Sequence, residues 1–389
     1  MFYNDFQGLK LSALGFGTMR LPLLPDGKTV DSELTAKMID TAIRGGVNYF
    51  DTAVPYHGGA SERIVGEILN RYPRESWSLA DKYPGHQHYP VFNPAETFER
   101  QLKRCGVDYF DFYLYHNICE NDIADYMDPR WGILDYFVEQ RKAGRIRHLG
   151  MSVHASLPLF RELLDGPYGQ VIEFCQIQLN YLDWTLQDAR EKVRLLNERG
   201  IPIWVMEPVR GGKLASVPEV SVDEAFRWVS NVPGVTVTLS GLSAMEHVEG
   251  NLKSFAERRP LTAADETRIF AVAETLKKGV PCTACRYCCD GCPVGLDIPA
   301  LLHSYNEMLS GSTLGPVMYV ESLPEELRPS ACVGCGQCAS VCPQNIGIPA
   351  ALSDFADRFA AAPKWADICR ERQALEAAAA AADVTASRQ

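Results

Sequence analysis

No uninterrupted apolar run of about 18 residues occurs in this 389-residue chain, so it offers nothing of the length a membrane-spanning helix needs. The opening MFYNDFQGLKLSALGFG has no basic segment leading into an apolar one. That argues against an export signal and for a cytoplasmic protein. There is no excess of positive charge either: the net charge is −11, with acidic and basic residues well mixed. Nucleic acid and anionic membrane are therefore poor candidates for the main partner. The glycine-rich G-x-G-x-x-G turn of a dinucleotide fold is missing as well, since GFGTM after the first apolar run does not fit it.

What is present is an ordinary globular balance, 46% apolar and 22% charged residues, long enough for one large domain and a small one. Cysteine is unevenly spread. Of 13 cysteines, nine lie between 282 and 342, and Cys105, Cys119, Cys175 and Cys369 are scattered. Scattered thiols in apolar surroundings behave as small buried hydrophobes. A cluster of nine, in a chain without an export signal, points to metal rather than disulfides.

From residue 10 to about 255, β-rich runs (LSALGFGTM, NYFDTA, WSLADKY, YFDFYLYH, IRHLGMSVH, FCQIQLN, PIWVMEP, VTVTLSGL) alternate with amphipathic stretches such as DSELTAKMIDTAIRGG and PAETFERQLKRCG. The latter carry apolar residues at helical spacing, and Gly45, Gly106 and Gly200 stand where helix stops belong. Eight such pairs over roughly 250 residues predict an α/β (β/α)8 barrel, with an open doubly wound sheet as the alternative. In a barrel the chemistry collects at the carboxyl ends of the strands. Asp51, Lys82, His116, Ser152, His154, Gln176, Glu207 and Ser240 fall there.

The segments GFGTMR, NYFDTAVPYHGGASE, LADKYP, YLYHN and GMSVH, in this order and spacing, resemble the aldo/keto reductase family over about residues 8–255. The resemblance implies carbonyl reduction with NADPH. It places the family's catalytic tetrad on Asp51, Tyr56, Lys82 and His116. The chemistry suits those residue types. A carbonyl that accepts hydride needs a proton, and a phenol of ordinary pKa about 10 is a poor acid unless a cation favours its phenolate. Lys82 is that cation, Asp51 holds Lys82, and His116 orients the carbonyl oxygen.

The cofactor site matches less closely. The resemblance implies a nicotinamide nucleotide, NADP(H) or NAD(H), held by Gly17, Thr18, Ser152, Gln176, Arg210, Gly212, Ser243 and Asn251. The family's Asn beside Ser152 is Val153 here, and its stacking aromatic on strand seven is Met206. Gly241 and His247 stand where basic residues usually clamp a 2′-phosphate. The VRGGK stretch, in which Arg210 and Lys213 flank a glycine pair, is expected to meet phosphate instead.

Two cassettes follow. Cys282-x2-Cys285-x2-Cys288-x3-Cys292-Pro293 is repeated as Cys332-x2-Cys335-x2-Cys338-x3-Cys342-Pro343. This is the bacterial ferredoxin run for 4Fe–4S clusters, in which the fourth cysteine serves the other cluster. One cluster then takes Cys282, Cys285, Cys288 and Cys342. The other takes Cys332, Cys335, Cys338 and Cys292. DIPALLHSY at 297–305 returns as GIPAALSDF at 347–355, so a helix entering at Ile-Pro follows each cassette. Zinc is the rival metal, pairing Cys282 and Cys285 with Cys289 and Cys292, but the gap between the pairs is short for it.

The expected architecture is a barrel over 1–260, a connecting helix at 261–280, a small α-helical, two-cluster ferredoxin-like domain over 281–375, and an Ala-rich tail at 376–389. Such a carboxyl-terminal module resembles that of a known aldo/keto reductase subfamily. Its partners would be a small carbonyl or alcohol substrate and a redox protein. Hydride carries two electrons and a 4Fe–4S cluster passes one, so direct coupling needs an intermediary such as flavin. No flavin motif stands out, although barrels bind flavin phosphate through the loops after strands seven and eight, where VRGGK and SGLS lie. The alternatives to a reductase are a ferredoxin-linked, flavin-dependent oxidoreductase and a non-enzymatic electron carrier. The substrate loops 84–93 and 117–130 carry no diagnostic motif.

Overall fold

The structure, a computed structural model, describes residues 1–84, 93–120, 122–277, 279–309 and 314–364. Most of the 84–93 loop, Cys369 and the Ala-rich tail lie outside the described residues. The chain forms two compact units, Met1–Leu276 and Lys277–Gln389.

The first unit opens with a hairpin, β1 (Tyr3–Phe6) antiparallel to β2 (Leu9–Ser12). Eight parallel strands follow: β3 (Leu14–Gly17), β4 (Tyr49–Asp51), β5 (Ser78–Tyr83), β6 (Phe110–Ile118), β7 (Ile146–Val153), β8 (Phe174–Gln178), β9 (Ile203–Met206) and β10 (Val235–Gly241). Each pairs with the next, and β10 returns to pair with β3, closing the barrel. The open doubly wound sheet is thereby excluded. Strands covered on both faces read as nearly continuous apolar runs; in β6, FDFYLYHNI, every residue is buried.

Helices α1 (Ser32–Arg44), α2 (Ala60–Leu69), α3 (Pro94–Cys105), α4 (Ile133–Lys142), α5 (Leu157–Asp165), α6 (Ala189–Glu198), α7 (Val222–Ser230) and α8 (Met245–Ser254) follow the eight strands in turn. Their ends are written locally. The Asp31 side chain accepts from the Leu34 amide at the start of α1, and Ser221 and Glu224 form a reciprocal cap at the start of α7. Such a cap is worth about 1 kcal/mol. Gly106 and Gly200 adopt the left-handed conformation after α3 and α6. After α1, however, Gly45 stays helical and its neighbour Gly46 makes the left-handed turn.

The barrel has two apolar layers. Inside, Tyr49, Phe112, Phe174, Trp204, Val237 and Leu239 pack with Phe6 and Leu11 of the hairpin, whose side chains plug the interior. Outside, strands and helices share a larger core that includes Phe50, Phe98, Phe110 and Leu149. Each such side chain contributes about 1.5–3 kcal/mol on burial. Helix α9 (Ala263–Leu276), expected as the connector, ends the first unit, and its Ile269 and Ala273 belong to the same outer core.

The second unit is helical: α10 (Ile298–Leu309), α11 (Leu314–Ser322) and α12 (Ile348–Ala361), with single turns at Tyr287–Asp290 and Gln337–Ser340. The fifty-residue repeat is visible in its core, where Ile298, Leu302 and Tyr305 correspond to Ile348, Leu352 and Phe355, all buried together.

Candidate active site and cysteine cavities

Three strand ends bring four side chains together. Asp51 is the last residue of β4, Lys82 lies next to the end of β5, and His116 is on β6. Tyr56 starts a tight turn, Tyr56–Gly59, in which His57 and Gly58 both have positive φ, so the chain reverses straight after the phenol. The Lys82 Nζ donates to Asp51 Oδ1 at 2.5 Å and to the Thr52 carbonyl at 2.7 Å. It lies 5.1 Å from the centre of the Tyr56 ring. The rings of Tyr56 and His116 meet edge to face at 6.1 Å. Lys82 is fully buried, and Asp51, His116 and Tyr56 nearly so. Burial pushes the Asp51 carboxyl above its ordinary range, and the adjacent Lys82 ammonium pulls it back.

Two further groups face each other on neighbouring strands. Ser152 and Gln176 are register partners in β7 and β8. Gln176 Oε1 is buried with no hydrogen-bond partner among the described residues, and Ser152 Oγ has only a long contact, 3.9 Å, to Met206 Sδ. An unsatisfied buried acceptor costs about 1–3 kcal/mol. Gly17 lies against β10, where an added Cβ would come within 3.0 Å of the Ser240 carbonyl oxygen. Gly212 has φ +95 with open space around it. Ser243 is exposed, with its hydroxyl 3.3 Å from His247 Nδ1.

Three of the expected cofactor residues already have partners within the protein. Arg210 sits in the barrel wall, and its Nη1 and Nη2 are buried with no hydrogen-bond partner among the described residues. Its side chain is fully buried, and its Nε donates to both oxygens of the equally buried Asp183 at 3.0 and 3.1 Å. Gln178 and Asn180 also donate to Asp183. A guanidinium in that setting is held by the charge it neutralises. The Thr18 hydroxyl donates to the Asp51 carbonyl at 2.9 Å and also bonds Ser61. Asn251 is turned into the barrel wall, where its Nδ2 donates to Ser240 Oγ at 2.8 Å. One rim residue escaped the sequence reading. Arg20 pairs with Glu207 at 3.2 Å, and its stem fills the space beside Gly241, where a Cβ would meet Arg20 Cδ at 3.1 Å. Arg20 closes the GFGTMR segment, but nothing local marks it as reaching across the rim to Glu207 and Gly241.

In the second unit the cysteines line two small cavities, each partly open to solvent. The first is lined by Cys282, Cys285, Cys288 and Cys342, with Pro299, Leu302 and Ile348. The second is lined by Cys292, Cys332, Cys335 and Cys338, with Leu296, Ile298 and Leu352. Each cassette therefore sends its fourth cysteine to the other's cavity. Four sulfurs in an apolar wall suit an iron–sulfur cluster, which takes thiolates spread around a volume. Among the described residues, no three His, Cys, Asp or Glu side chains close on one point as a single ion requires. Cys289 lines neither cavity.

Fold and cysteine pattern together define an oxidoreductase built as a parallel α/β barrel with an iron–sulfur dicluster domain in the same chain. Residues 13–222 match the aldo/keto reductase family and residues 281–346 a 4Fe-4S dicluster domain; the chain belongs to the aldo/keto reductase family. It is similar to the NADH-specific methylglyoxal reductase of Escherichia coli, 29% identical over 53% of this chain and 66% of that one, just under two thirds of the relative's length. It is also similar to the L-galactose dehydrogenase of Arabidopsis thaliana, 25% identical over 69% of this chain and 93% of that one. Among solved structures, the holo form of aldo-keto reductase AKR11C1 from Bacillus halodurans aligns with a TM-score of 0.57 and 25% identity, covering 68% of this chain and 93% of that one. Among the described residues no helix is long and apolar enough to cross a membrane.

Proposed function

We propose that the barrel reduces a small carbonyl compound, with Tyr56 delivering the proton and NAD(P)H supplying the hydride. The observation that carries this reading is the Lys82 ammonium, held at 2.5 Å by Asp51 and lying 5.1 Å from the Tyr56 ring. As hydride reaches the carbonyl carbon, negative charge grows on the oxygen. The Tyr56 hydroxyl gives its proton there, and the charge left on the phenol oxygen is favoured by the cation beside it. Two bonds fix Lys82 Nζ, so little reorganisation accompanies the transfer. His116, edge-on to Tyr56, orients the carbonyl oxygen. Ser152 and Gln176 suit a nicotinamide carboxamide, because Gln176 Oε1 lacks a donor. The two cysteine quartets would each hold a 4Fe–4S cluster, which supplies one-electron transfer.

The test is Tyr56→Phe, assayed on methylglyoxal and simple aldehydes with each nucleotide. Replacing Asp51 or Lys82 would strand its buried partner at a cost of about 3–5 kcal/mol, whereas Tyr56→Phe leaves that pair intact. We expect kcat to fall by about 10²–10⁴ with nucleotide affinity kept. A variant that turns over like the wild type, or a wild type inert on every carbonyl, overturns the reading.

A further inference from the structure

The cassettes are near copies in sequence, but their surroundings differ. Cys282 and Cys332 are both half-buried, and Cys288 and Cys338 are both buried. Where the two quartets differ, they differ in one direction. Cys285 is half-buried and its counterpart Cys335 is exposed. Cys342, which completes the first quartet, is buried, while Cys292, which completes the second, is half-buried. The residue after the first cysteine shows the contrast best: Thr283 is 3% exposed and Val333 is 67% exposed. Gly334 beside it is exposed too. The second cavity is thus the more exposed at Val333, Gly334 and Cys335, and its rim, Val333–Gly334–Cys335–Gly336, bears no charge, whereas the exposed residue lining the first is the charged Arg286.

Resting on the reading of both quartets as cluster ligands, we infer that the two positions have different roles. The site of Cys292, Cys332, Cys335 and Cys338 is the electron port, through which one-electron carriers in solution are met. The site of Cys282, Cys285, Cys288 and Cys342 is sheltered and reaches outside carriers by way of the port. The reason is access: a carrier exchanges an electron only by coming close to the cluster edge, and exposure of ligands sets that approach. A charge placed on the port's rim should therefore attract or repel a charged carrier, whereas one placed elsewhere should not.

The experiment uses the full-length holoprotein, prepared anaerobically and shown to contain about eight iron atoms per chain. It is reduced with dithionite, freed of excess reductant and mixed with ferricyanide at low ionic strength. Each ferricyanide takes one electron and becomes ferrocyanide, each reduced cluster gives up one, and no proton need move. The surface variants Val333→Lys and Val333→Glu are compared with Met318→Lys and Met318→Glu. Met318 is also exposed in this unit and lines neither cavity. We expect Val333→Lys to speed reoxidation by the trianion and Val333→Glu to slow it, each by about twofold or more, with the Met318 pair well inside that spread. Val333 variants that match the wild type, or Met318 variants that move the rate as much, overturn the port. A protein without iron and without visible iron–sulfur absorption, even after anaerobic reconstitution, instead removes the cluster reading on which the port rests.

Discussion

Asp122 receives the amide of Cys119 at 2.8 Å just ahead of a short helix, Ile123–Met127, and it is buried. Burial pushes its carboxyl up to about 8 from 3.8. The folded state therefore keeps a proton that the unfolded chain releases near pH 4. The sign follows: this stabilisation is complete below pH 4 and is lost as pH rises through about 8, at up to about 1.4 kcal/mol per pH unit. Asp122→Asn keeps an oxygen for the Cys119 amide but has no proton to lose. In denaturant melts at a series of pH values, the variant should gain on the wild type between pH 4 and 8 and level off above. Parallel stability curves would show that Asp122 ionises normally. At this scale the tetrad was legible because each member sits in a short strand-end motif. Arg210 was not, because its partner Asp183 lies 27 residues earlier and nothing local distinguishes a buried guanidinium from a solvated one. The contacts of Thr18 and Asn251 were equally hidden, because their hydroxyl and amide bond groups on other strands of the wall.

Strands and helices were legible as types, since period and composition agree over each stretch. Their division was less so. LSALGFGTM reads as one strand, yet it is cut at Ala13 into the end of the hairpin and the first barrel strand. The signal lay upstream, in Gln7-Gly8, which both take positive φ and form the two-residue turn that suits a hairpin. Packing between elements leaves still less trace. Gly66 sits inside α2, where helix propensity alone favours Ala by about 1 kcal/mol. An added Cβ there would lie 2.2 Å from the carbonyl oxygen of Cys105, at the end of α3. Backbone cannot yield as a side chain can, so Gly66→Ala should destabilise the protein by about 1–3 kcal/mol. Gly250 in α8 meets nothing within 4 Å, and Gly250→Ala should stabilise by up to about 1 kcal/mol. Opposite shifts in chemical denaturation midpoint are expected; equal signs would mean that propensity, not helix contact, governs both sites.

The whole chain contains separate apolar cores. The barrel's two layers draw on residues up to Ala273, while the second unit's core runs from Cys288 to Phe355. That second core is small and is built around the cysteine quartets: Cys288, Cys338 and Cys342 are among its buried members, and Leu302 and Leu352 each line a cavity. Ligands bound only in the folded state contribute their binding energy to stability. The barrel closes strand to strand, and its cores contain none of the clustered cysteines. Iron stripped by excess ferricyanide and a chelator should therefore unfold the second unit alone. Circular dichroism should lose helix while keeping the barrel's own melting transition, and limited proteolysis should leave a fragment ending near Leu276. A stripped protein whose carboxyl-terminal part resists protease as before would show that the helices of the repeat hold themselves. If the barrel's transition fell together with the iron, metal would be supporting the larger unit as well, against the division of cores that the chain displays.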